Sequence, residues 1–130
     1  MNEELAAALA PVLRDLDATC AVRPIVREER DDGIGEYVVL YAPDGSGAGL
    51  VQRFGAGGAE WTADLADQAQ DWAVEALCAE LKPAVWPECP AHPDSHPLEA
   101  GVVRGVAVWS CPASRRVVAA VGELGGPAGS

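Results

Sequence analysis

Two cysteines and two histidines stand in the pattern Cys89-x2-His92-x3-His96-x14-Cys111, and the chain holds no other histidine. A thiolate sulfur and an imidazole nitrogen are the donors that Zn²⁺ prefers, four at a time and at tetrahedral positions. The Cys-x2-His step lets one tight turn present both side chains to a single ion. Cys89 and Cys111 are each followed by a proline, which fixes φ and removes an N–H. The next amides, at Ala91 and His92, are expected to turn back toward the Cys89 sulfur and stabilise its negative charge. Four protein ligands fill the shell and leave no place for water, the arrangement of a structural ion. The cofactor expected is therefore one structural Zn²⁺ on Cys89, His92, His96 and Cys111.

Other chemistry is less well supported by the residues. A zinc-dependent hydrolase with an open metal position needs three ligands and a nearby base, for which Glu88, Asp94 and Glu99 are close in sequence. Neither His-Glu-x-x-His nor the His-x-Glu with Pro-Cys-x-x-Cys of deaminases is present. No serine sits in a nucleophile-elbow context. The string Gly55-Ala-Gly-Gly58 lacks the spacing and the lysine of a phosphate-binding loop and is expected to be a connector. Cys78 lies within a helical pattern and is expected to be a buried, inert thiol.

Cys-Pro-x-His at residues 89–92, followed by aromatic-x-Cys-Pro at residues 109–112, resembles the paired knuckles of zinc ribbons. The resemblance covers about residues 86–122. In that family each knuckle is usually Cys-Pro-x-Cys. Here His92 stands at the second ligand place of the first knuckle, and Ser114, a poor zinc ligand, at that of the second. The resemblance implies a site containing Cys89, His92 and Cys111 and leaves the fourth ligand open. His96 is the candidate. On function the resemblance implies almost nothing.

The 130 residues are 49% hydrophobic, a globular composition. The net charge of −11 is unevenly spread. Residues 1–81 hold sixteen Asp and Glu against five Arg, and residues 82–130 hold four of each sign. Such a surface repels phosphate backbones and argues against nucleic-acid binding, with only Arg104, Arg115 and Arg116 pointing the other way. Glu3 and Glu4 open the chain, unlike a signal peptide, and no run approaches the roughly 18 apolar residues of a membrane span. The compartment expected is the cytoplasm, with reduced thiols. The residues thus read as a zinc-binding interaction or regulatory domain without catalysis. Its expected partner is another protein or a second copy, met by a surface of Trp86, Trp109, Arg104, Arg115 and Arg116.

These residues need a frame. The expected fold class is α+β: two helices on a mainly antiparallel sheet of about five strands, with a proline-rich zinc loop. One domain is expected over residues 1–124, with a zinc subregion at 83–114 and a flexible tail at 125–130. Leu5, Leu9, Val12, Leu13 and Leu16 follow helical spacing over residues 2–17, with Asn2 as cap and Pro11 as a kink or break. Strands are expected at 20–29, with Pro24 at a sheet edge, at 36–42 in the sheet centre, and at 49–54. A second helix is expected from a Thr62 cap to about Leu81, before Pro83. Five of the ten prolines fall at 83, 87, 90, 93 and 97. Val-rich strands at 101–109 and 116–122, joined tightly around Pro112, complete the chain.

Overall fold

The computed structural model describes residues 3–33, 35–50, 58–93 and 95–125. The elements in chain order are α1 (Glu3–Thr19), β1 (Ile25–Asp31), β2 (Gly35–Tyr41), β3 (Gly47–Leu50), α2 (Gly58–Ala79), β4 (Glu99–Val103), β5 (Val106–Ser110) and β6 (Val117–Ala120). The class is α+β, as expected. The single sheet of about five strands is not found. Two separate antiparallel sheets form instead, ordered β1-β2-β3 and β4-β5-β6.

Two segments differ from the expected strands. Residues 101–109 do not form one strand. They fold as a hairpin, β4 against β5, that turns at Arg104 (φ 52°) and Gly105 (φ 77°). Two consecutive residues with positive φ are the signature of a type I′ turn, whose twist matches that of the flanking strands. Arginine is an uncommon first residue for such a turn, so the run of valines reads as continuous. The second segment is 20–24, which precedes the strand. Cys20 and Val22 are buried there without pairing, and Pro24 stands just before β1. β1 does lie at a sheet edge and β2 at its centre.

The helices follow their apolar spacing. Leu9, Val12 and Leu16 of α1 are fully buried. α1 continues through Pro11 without a break; burial of this stripe on both sides of the proline offsets the lost hydrogen bond, which costs about 3 kcal/mol. α2 starts four residues before the expected cap. Thr62 lies inside it, and its hydroxyl donates to the Ala8 carbonyl of α1 at 3.0 Å. α2 ends with Leu81 at φ 57°, where Leu81 N donates to Cys78 O (3.0 Å) and Lys82 N to Leu77 O (2.9 Å). This Schellman pair satisfies the last carbonyls. Cys78 is exposed, not buried as expected, because it faces away from the stripe of Trp61, Leu65, Ala69, Trp72 and Ala76. The Asn2 cap, residues 51–57 with most of the glycine loop, and the tail beyond residue 125 lie outside the described residues.

One apolar cluster joins α1, α2, strands from both sheets and the segment before β4, with Trp86, Cys89, Leu98, Trp109 and Cys111 among its members. At its edge sits a fully buried carboxylate, Asp15. Its oxygens accept from Trp109 Nε1 (2.9 Å), Gly122 N (2.6 Å) and Leu124 N (2.9 Å). The chain leaves β6 by passing over Pro11. A Cβ on Gly122 (φ 103°) would come within 2.9 Å of the Pro11 Cβ, so only glycine fits. Asp15 thereby pins α1 to both ends of the β5–β6 unit. Removing it leaves one buried donor, Trp109 Nε1, and two part-buried amides without this partner, at about 1–3 kcal/mol for the buried one and less for the others. Asp15→Ala is expected to lower unfolding stability by about 3 kcal/mol or more, measured by urea denaturation.

Candidate metal centre

Each half of the centre hangs from a tryptophan. Trp86 stands three residues before Cys89 and Trp109 two before Cys111. Both indoles are buried and meet edge to face, with ring centroids 5.5 Å apart and planes at 77°. Trp86 Nε1 donates to Thr19 Oγ1 at 2.9 Å, and Trp109 Nε1 to Asp15. The last turns of α1 thus hold both indoles. This corrects the expected interaction surface: Trp86 and Trp109 are core residues and present nothing to a partner. Arg104, Arg115 and Arg116 remain exposed on turns of the β4–β6 sheet.

The segment between Pro87 and Leu98 closes on itself. Leu98 N donates to Pro87 O at 2.8 Å, and Glu88 and Pro97 form an isolated antiparallel bridge. Gln70 of α2 clamps both ends, its amide donating to Trp86 O (3.1 Å) and Leu98 O (2.7 Å). Sequence reading missed Gln70, Asp15 and Thr19. Their only signal was a polar residue on a helix face otherwise buried.

Inside this closed loop lie Cys89, His92 and His96, and the β5–β6 connection brings Cys111 to them. Ligand atoms of all four lie within 4.8 Å of one another. His92 Nδ1 is 3.5 Å from both sulfurs, and His96 Nε2 is 3.9 Å from the Cys111 sulfur. Bonds of about 2.3 Å to sulfur and about 2.0–2.1 Å to nitrogen around a tetrahedral ion separate the two donors by about 3.6 Å. These three separations are close to that value, and the cluster of four could hold a metal ion.

The outer groups suit that task. His96 Nδ1 contacts the Pro97 carbonyl at 3.1 Å; a proton on Nδ1 for that bond leaves the Nε2 lone pair aimed at the sulfurs. Ser114 N donates to Cys111 Sγ at 3.4 Å, while Ser114 Oγ accepts from Arg116 N at 3.3 Å. Ser114 is thus a neighbour of the sulfur. The expected amide arrangement at Cys89 is corrected: His92 N donates to the Cys89 carbonyl at 3.1 Å. Glu88 and Glu99 are exposed, neither joins the cluster, and Asp94 lies outside the described residues.

Electrostatics prepares one ligand. The Ser114 hydroxyl, helped by the Ser114 and Ala113 amides and the Cys89 thiol, lowers the Cys111 thiol from 9.0 to about 6, against the opposing effect of burial. Cys111 is then mostly thiolate at neutral pH, the form that ligates metal.

No family model, no curated protein and no solved structure matches this chain.

In the metal-free protein the lowered value has a definite sign. Between about pH 6 and 9 the unfolded chain binds more protons at Cys111 than the folded one. The thiol's stabilising contribution is complete above the unfolded value and is lost as pH falls through the folded one. Thiolate ultraviolet absorbance should therefore show a titration near pH 6. It should be absent in Cys111→Ser and moved upward in Ser114→Ala.

Proposed function

We propose that this chain is a non-catalytic interaction or regulatory domain in which one structural Zn²⁺ holds the segment from Trp86 to Cys111. Its ligands in this reading are Cys89 Sγ, His92 Nδ1, His96 Nε2 and Cys111 Sγ. The observation that carries it is the convergence of four soft donors within 4.8 Å. With four protein donors at hand, no coordination place is left for water, and among the described residues Glu88 and Glu99 stay outside the cluster. The two half-knuckles, each a Cys-Pro turn below a buried tryptophan, support a zinc-ribbon-like description of residues 86–122.

Energetics favours a structural role. A structural zinc supplies about 10 kcal/mol or more of apparent binding free energy at neutral pH, comparable with the whole stability of a domain, about 5–15 kcal/mol. The enclosed loop contributes little apolar surface of its own beyond Trp86 and Leu98, so an ion would add to what the Gln70 clamp and the Leu98–Pro87 bond already fix. The four cysteines are free, which is compatible with the reducing cytoplasm that this reading takes as its compartment. The acidic surface favours a protein partner over nucleic acid.

Metal analysis by mass spectrometry should find one zinc per chain, lost in Cys111→Ser and in Cys89→Ser. His96→Ala should weaken zinc binding about 10–100-fold or more, the least that losing a group from a metal's outer shell costs. Cobalt substitution should give a tetrahedral spectrum without an exchangeable water. A metal-bound exchangeable water would instead indicate a zinc hydrolase with an open position.

A further inference from the structure

Beyond the metal centre, one open cleft of about 630 Å³ joins α2 to the edge of β4. Its walls are Glu60, Asp64 and Asp67 on α2 and Glu99 on β4, and its floor is Ala63, Ala100 and Val102. Residues 60, 63, 64 and 67 share one helical face. All four charged groups are carboxylates.

Among the described residues the β4 side of this cleft is a sheet edge without a neighbouring strand. In the order β4-β5-β6, β4 has a neighbour on one side only among the described residues. The hydrogen-bond phase follows from one contact. Val121 N donates to Ala107 O at 2.9 Å, so the backbone groups of Ala107 point toward β6. Those of Val106 and Val108 then point toward β4, where they meet Val103 and Gly101. The amides and carbonyls of Ala100 and Val102 are left pointing away from β5, along the cleft. Among the described residues neither amide finds an acceptor. The carbonyl of Leu98, two residues earlier on the same edge, is capped by Gln70. The next two positions along that edge have no such cap.

We propose that this edge receives an extended, basic segment of a partner protein, which adds as a strand beside β4. Main-chain hydrogen bonds to Ala100 and Val102 supply affinity, and alternate side chains supply specificity. Ala100 and Val102 pair with Trp109 and Ala107, which belong to the core cluster, so side chains of the added strand on that face point at α2. Lysine or arginine there meets Glu60, Asp64 and Asp67 of α2, whereas Glu99, one residue before Ala100, belongs to the opposite face of the strand. On the opposite face the strand continues the exposed row of Val103 and Val106, which favours apolar residues. The segment recognised is thus an alternating basic and apolar strand. The metal loop ends where β4 begins, so the proposal rests on reading the chain as an interaction domain and needs no particular ion.

The test uses the full chain and a labelled peptide of alternating lysine and valine, about ten residues long to match a strand, followed by fluorescence anisotropy at low salt. The expected result is saturable binding that weakens with salt, and none by the glutamate–valine counterpart. Val102→Pro removes the outward amide at a position where an edge strand tolerates proline; it should weaken binding at least tenfold with an unchanged circular dichroism spectrum. Glu60→Lys with Asp67→Lys, both on the exposed face of α2, should abolish binding and provides a second variant that leaves the strand untouched. Lack of binding to the parent chain would overturn the proposal. So would equal binding by Val102→Pro, or self-association that the peptide fails to compete. Zinc content, read on the same samples, reports separately on the metal centre.

Discussion

The edge-to-face contact of Trp86 and Trp109, fastened to the end of α1, is the constraint on which the candidate centre depends. One indole leads into each cysteine turn. Thr19 holds the first and the buried carboxylate of Asp15 holds the second. Because the two rings touch, the chain segments that follow them must leave the core side by side. Cys89 and Cys111, 22 positions apart in sequence, arrive together for that reason before any ion is considered. The histidines then need only local geometry to join them, since both lie in the loop that Gln70 clips shut.

The same anchoring gives the molecule its two-sided character. On one side the core ends in soft donors, with a hydroxyl and amides turned toward the Cys111 sulfur. On the other side α2 presents carboxylates beside an incompletely paired strand. Neither feature uses a residue of the other. They meet at Leu98, whose amide closes the metal loop, whose carbonyl is capped from α2, and whose side chain is buried. β4 starts at the next residue. Ordering of the loop therefore sets where the free edge begins.

The metal pattern was legible because ligand chemistry is local: residue type and spacing alone single out the four donors, and proline after each cysteine marks the turns. The α+β class and both helices were legible too, since apolar periodicity reports directly which face is buried. What escaped reading was whatever depends on distant partners. A single polar residue such as Asp15 or Gln70 looks like a solvated position until the groups it bonds, more than a hundred residues away in the case of Leu124, are known. Aromatic residues at a suggestive place look like a surface, and burial is a property of the whole fold.

The separation between the two sources of information is thus physical. Chain order decided which side chains have metal-binding atoms, where helices begin to bury a stripe, and that acidic charge gathers in the first two-thirds. Packing alone decided that residues 99–110 fold back as a hairpin, because the Arg104–Gly105 turn is stabilised by cross-strand pairing. Packing also decided that the tryptophans face inward and that His96 takes its place beside the sulfurs, because the carbonyl that orients its ring is positioned by closure of the loop.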